Sequence, residues 1–168
     1  MESRAPARFE DVMLPHLDAA YTLARYLVRN AHDAEDIVQD ACLRALKYFA
    51  GYRGEERTSA RAWLLTIVRN TAHNWHTRHR PDALTTEFDE TEHSDAVVDD
   101  HRDAKETLAH ALARLAPEFR EVIVLRELQG LSYKEISDVA GVPVGTVMSR
   151  LSRARARLQE TLREEEVR

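Results

Sequence analysis

Apolar residues recur three and four positions apart along most of the chain, the spacing of helices that bury one face. The first run passes through Phe9, Val12, Met13, Leu17, Ala20, Tyr21, Ala24 and Leu27 and predicts a helix. After Asn30, Asp33 with Asp36 three residues on predicts an N-cap with supporting charge on the helix dipole. A second helix follows, with Ile37, Val38, Ala41, Ala45, Leu46 and Phe49 as its apolar face, and ends near Gly51. A connector through Gly54 leads to Thr58 or Ser59 as the next cap. The third helix runs from about Ala60 to Arg80, carries Trp63, Leu64, Ile67, Val68 and Trp75 in its stripe, and is stopped by Pro81.

Residues 81–104 have no sustained apolar period and read as a polar, acidic linker. Helical pattern resumes at Leu108, Ala111, Leu112 and Leu115, and Pro117 opens another helix at its favoured first position. That helix carries Phe119, Val122, Ile123 and Leu125 toward Gly130. Ser132 with Glu135 predicts a capping box for a short helix ending at Gly141, and a last helix runs from Val144 to about Arg163. No strand pattern competes, and glycine and proline number only five each. The expected fold is all-α: two small helical domains, 1–80 and 105–168, joined by an acidic flexible linker, 81–104, the C-terminal domain a helix-turn-helix.

The net charge of −5 argues against a polyanionic partner until its distribution is considered. Residues 1–80 carry +2 and residues 101–168 carry +1, whereas residues 81–100 carry −8. From Arg57 to Pro81 there are five arginines and no acid, and from Val139 to Gln159 four arginines and no acid. Two basic surfaces flanking an acidic tether suit one polyanion held at two places. The single cysteine, Cys42, excludes a disulfide framework and reads as a buried small residue. No apolar run approaches membrane-spanning length and the N-terminus lacks a signal-peptide stretch, so a reducing cytoplasm is expected, with no membrane insertion. No glycine-rich phosphate loop or nucleophile–base set is present. His73, His76 and His79 lack carboxylate or cysteine partners nearby and read as a solvated basic face. The chain is expected to be no enzyme and to carry neither cofactor nor metal.

At about 100° per residue, Val144, Val147, Leu151, Ala154 and Leu158 form the inner face of the last helix. The opposite stripe, Gly145, Ser149, Ser152, Arg153 and Ala156, is mostly small and lets a helix backbone sit deep in a major groove. Arg153 and Ser149 are candidates for base edges, with Arg150, Arg155 and Arg157 placed for phosphates. The third helix interleaves Trp63 and Trp75 with Asn70, Asn74, Arg69 and Arg78, the rings, amides and cations of a single-stranded nucleic-acid site. Trp63 lies on the apolar stripe and reads as core. The acids at Asp33, Glu35, Asp36 and Asp40 fit either a solvated face or a docking surface for a basic partner.

Three stretches resemble bacterial RNA polymerase sigma factors of the extracytoplasmic-function (ECF) group. They are Asp33 to Ala41 with Leu43 to Leu46, then Ala62 to Asn70, then the helix-turn-helix with Gly145 to Arg150. The resemblance implies a specificity subunit that binds core RNA polymerase and directs it to promoter DNA. It implies core-binding roles for Asp36, Gln39, Asp40 and Leu46, and capture of a flipped minus-10 base around Asn70, with Asn74, Arg69, Trp75 and Arg78 alongside. It implies that the last helix reads the minus-35 duplex, through Thr146, Ser149, Arg150, Ser152, Arg153 and Arg157. Met148 departs from relatives that carry arginine there, and the acidic linker stands where primary sigma factors have a middle domain. An anti-sigma factor is an expected partner, and the free chain is expected to be monomeric. The alternative is a stand-alone helix-turn-helix regulator of duplex DNA, which gives no role to Asn70 or to the acidic second helix.

Overall fold

The computed structural model describes residues 7–28, 30–54, 59–79 and 100–167, and all regular structure among them is helical. Most of the acidic linker, residues 81–99, lies outside the described residues, as do Thr58 and Arg80. The first apolar run is two helices rather than one. α1 (Phe9–Met13) gives way to a 3-10 turn at Leu14–His16 before α2 (Leu17–Leu27) begins. Pro15 sits in that turn, where it has no N–H to offer a continuing helix.

α3 spans Ala31–Tyr48, and its cap is Asn30 rather than Asp33. The Asn30 side-chain oxygen accepts from the backbone N–H of His32 at 2.7 Å and of Asp33 at 3.3 Å, so the helix starts earlier and Asp33 lies within its first turn. α4 (Ala60–His79) is capped by Ser59, whose hydroxyl accepts from the Ala62 N–H at 3.1 Å. Alanines at 20, 24, 34, 41, 45 and 62 are fully buried where α2, α3 and α4 meet, which lets the helices approach closely around Leu23, Ile37, Leu64, Leu65 and Val68. Phe9, Phe49, Tyr52 and Trp63 make a chain of ring contacts at centroid spacings of 5.4, 6.0 and 5.1 Å, edge-to-face, stacked and tilted in turn, which places Trp63 in the packing as expected.

The C-terminal half comprises α5 (Asp100–Ala113), α6 (Pro117–Ile123), one π-helical turn over Val124–Leu128, α7 (Tyr133–Ala140) and α8 (Val144–Glu166). α5 takes in residues 100–104, so helix begins before the apolar period becomes legible at Leu108. Arg120, only 8% exposed, is a structural residue that the apolar pattern does not reveal. Its guanidinium donates to the carbonyls of Leu112, Ala113 and Leu115 at 2.9–3.0 Å, tying the end of α5 and the turn after it to the start of α6.

The two halves pack on each other. α4 lies against α7, and α2 lies against α5 and α6. Leu112, Val122, Leu125, Leu131, Ile136 and Leu151 join one apolar cluster with the N-terminal core.

Candidate nucleic-acid interface

The helix-turn-helix forms as the sequence predicts. Ser132 Oγ accepts from the Glu135 N–H at 3.1 Å while Glu135 Oε1 accepts from the Ser132 N–H at 3.2 Å, the reciprocal pair of a capping box. Gly141 turns the chain with φ of +67°, a left-handed conformation that glycine adopts without penalty. The Ser137 hydroxyl donates to the Val142 carbonyl at 2.5 Å and fixes the turn before α8 departs.

On α8, Val147, Leu151 and Ala154 are buried, and Gly145, Ser149, Ser152, Arg153 and Ala156 are all exposed on the opposite side. The arginines divide into different settings. Arg155 is engaged by Glu127 at 2.7 Å, and Arg157 lies over the Phe119 ring at 5.5 Å. Arg150 is half-buried, close enough to Glu121 to act on its charge. Arg153 makes no ion pair or hydrogen bond among the described residues. Thr146 is half-buried and accepts from the Ser149 hydroxyl at 3.1 Å through its carbonyl.

On α4, Asn70, Asn74 and Arg78 are exposed and share one face. Trp75 is half-buried against the core, so its ring lies beside that face rather than upon it. Arg69 leaves the face in the other direction, toward the C-terminal half, where its Nε donates to Glu121 Oε1 at 2.7 Å. Its Nη1 also reaches the Asn70 side-chain oxygen at 3.4 Å. Of the three histidines, His76 contacts the Leu27 carbonyl at 3.1 Å, and among the described residues no group of side chains is disposed to hold a metal ion.

On α3, Asp36, Gln39, Asp40 and Leu46 fall on one outward face, opposite the buried Ala34, Ile37, Ala41 and Ala45. Leu46 is 55% exposed, so it belongs to this outward face and not to the apolar stripe in which its spacing placed it. Leu43, 68% exposed, lies between Asp40 and Leu46 and joins the same face. Helical periodicity alone does not reveal Leu43, although a leucine out of phase with Ile37, Ala41 and Ala45 is the signal of an exposed apolar position. Asp40 pairs with Arg44 at 3.3 Å within the helix, and Asp36 lies 3.9 Å from His32. Cys42 is half-buried rather than fully enclosed, and burial pushes its thiol pKa up, away from thiolate chemistry.

Comparison with known proteins places these elements. The family model for Sigma-70 region 2 matches residues 12–81, and that for Sigma-70 region 4 matches residues 105–158. The chain is 33% identical to the ECF RNA polymerase sigma factor SigE of Mycolicibacterium smegmatis, over 96% of this chain and 64% of that protein. It is 32% identical to the RNA polymerase sigma factor YlaC of Bacillus subtilis, over 86% of this chain and 89% of the relative. Among solved structures, the sigma factor RpoE in complex with the anti-sigma factor NepR from Bartonella quintana superposes with a TM-score of 0.75 at 31% identity, covering 92% of this chain and 96% of RpoE. CnrH, solved in complex with the cytosolic domain of CnrY, gives 0.69 at 28% identity over 93% of this chain and 88% of CnrH.

The chain therefore belongs to the sigma-70 family, in its ECF group of RNA polymerase sigma factors. Such a protein is a specificity subunit and not an enzyme. A region 2 half and a region 4 half in one chain favour this assignment over a stand-alone helix-turn-helix regulator.

Proposed function

We propose that this sigma factor docks on core RNA polymerase through the outward face of α3 and reads a promoter with α4 and α8. Asp36, Gln39, Asp40 and Leu46 make the core contact, with Leu43 completing the apolar part. Asn70 captures a flipped minus-10 base, with Asn74 and Arg78 beside it, Arg69 at the margin and the Trp75 ring at the edge of the pocket. Ser149, Ser152 and Arg153 face the minus-35 bases, and Thr146, Arg150 and Arg157 lie toward the phosphates. Domain limits of 1–80 and 105–168 joined by 81–104, the last five residues of which already belong to α5, suit this division of labour.

The observation that carries the reading is the outer stripe of α8: small, acid-free and exposed, with Arg153 at its centre making no ion pair among the described residues. It is the surface a recognition helix presents to a major groove. The chain works on RNA polymerase in the bacterial cytoplasm, and among the described residues no helix is long and apolar enough to cross a membrane. An anti-sigma factor is proposed as a partner because RpoE and CnrH are each solved with a protein of that kind or with a cytosolic partner domain.

The test is core binding by charge-and-apolar variants of α3. Asp40→Ala with Leu46→Ala should weaken association with sigma-free core polymerase at least tenfold, while helical content and binding to a minus-35 duplex persist. Unchanged core affinity would remove α3 from the interface.

A further inference from the structure

Two large apolar side chains interrupt the small outer side of α8. Met148 is 53% exposed, and Val144, one helical turn before it, is 40% exposed. Both lie within the first five residues of the helix, the end that a recognition helix turns toward base edges. The fold has no use for them as core. α8 packs through Val147, Leu151 and Ala154, and the apolar cluster takes in Val142 before the pair and Leu158 after it but neither Val144 nor Met148. A lone exposed apolar residue needs no explanation, whereas two on successive turns at the docking end of this helix do.

The surroundings of Met148 favour close approach. At Gly145, three residues before it, nothing lies within 4 Å of the place a Cβ would occupy, so a partner meets bare backbone there. Ser149 and Ser152 beside it are exposed and short, which leaves Met148 the longest side chain among these exposed neighbours. A thioether has no donor and only a weak acceptor. Base edges in a major groove are donors and acceptors, with one exception: the C5-methyl group of thymine. Against guanine or adenine, Met148 would strip water from polar atoms and return no hydrogen bond. Against thymine it covers a methyl group with an unbranched, polarisable chain that adapts to the surface it meets.

We propose that Met148, backed by Val144, selects a thymine in the minus-35 duplex by packing on its C5-methyl group. The proposal rests on the assignment of α8 to that duplex and adds an apolar specificity residue to Ser149 and Arg153. The contact carries no charge, so it supplies sequence preference without salt dependence.

The experiment uses holoenzyme assembled from the full chain and sigma-free core polymerase, with a promoter fragment randomised across its minus-35 element. Fragments retained by wild type should converge on a motif containing a thymine that Met148→Arg exchanges for guanine. Replacing that thymine by deoxyuridine removes only the methyl group. It should weaken wild-type binding about fourfold, equivalent to about 0.8 kcal/mol for one buried carbon, and leave Met148→Ala unaffected. The dependence of affinity on salt should be the same for wild type and Met148→Ala, because no phosphate contact is lost. A selected motif on which deoxyuridine weakens both chains equally, or weakens neither, would overturn the methyl contact while leaving α8 on the minus-35 duplex. Failure of the wild-type holoenzyme to select any sequence in that region would overturn the assignment of α8, and the proposal with it.

Discussion

Among the described residues, Arg153 makes no ion pair or hydrogen bond, unlike Arg155 on the same helix. Arg155 is committed to Glu127 and Arg157 lies over Phe119, so each already has a structural partner. Arg153→Ala should therefore leave thermal stability unchanged while costing about 1–3 kcal/mol at a matched minus-35 site and relaxing preference at one base pair. Binding measured across single-base variants of the site checks this, and equal weakening on every sequence would make Arg153 a phosphate contact. Glu135 makes a different prediction. Burial works against its charge, yet hydrogen bonds from the Ser132 N–H and from the Ser59 and Ser132 hydroxyls hold its pKa below the ordinary value of 4.5. A lowered carboxyl contributes stability above its unfolded value and loses it as pH falls through the folded one. Glu121 runs the other way, since burial raises it above 4.5 despite Arg69, and its contribution fades as pH rises through the folded value. The destabilisation caused by Glu135→Gln, read as a shift in urea midpoint, should be largest near neutral pH and shrink below about pH 4.5. A shift of equal size at both pH values would contradict it. Residues of this kind mark where a linear reading stops. Glu121 and Arg120 sit within a helical period and look like ordinary surface charges in sequence, because Glu121 finds its partner 52 residues away and Arg120 folds back on the backbone carbonyls of Leu112, Ala113 and Leu115.

Among the elements, the helix-turn-helix was the most legible because its determinants are local. A serine cap, a glutamate three residues on and a glycine at the turn act within ten residues of one another, and each takes up the geometry its type favours. Gly141→Ala tests how much the turn depends on backbone freedom. No atom lies within 4 Å of the position its Cβ would take, so the cost arises from the left-handed φ of +67° alone. It should be about 1–2 kcal/mol, measured by urea denaturation, with minus-35 binding falling only as far as the fold does. A neutral effect would mean the turn relaxes to another conformation. Helix boundaries were less legible where two residues competed for one role. Asn30 outcompeted Asp33 for the cap of α3, and Pro15 divided an apolar run whose period continued through it. Leu46 fits a helical stripe by spacing, but the packing surface of α3 is a narrow row of alanines with Ile37, and a leucine at its margin stays outside.

At the scale of the molecule, the all-helical architecture and the order of its parts follow from periodicity, because each helix declares its own buried face. The contact between the halves does not, since the acidic segment that separates them in sequence carries no trace of the seam they form in space. The two halves bring three outward surfaces into one chain: the acidic and apolar face of α3, the amide face of α4 and the small-residue stripe of α8. A regulator working without polymerase would have no use for the first. The central claim is that the three act together to start transcription, and transcription in vitro tests it most directly. Purified chain, sigma-free bacterial core polymerase and fragments of the source genome should yield discrete start sites that depend on the chain and vanish with Asn70→Ala, although that variant still binds core. Duplex binding with neither core association nor chain-dependent initiation would contradict the account.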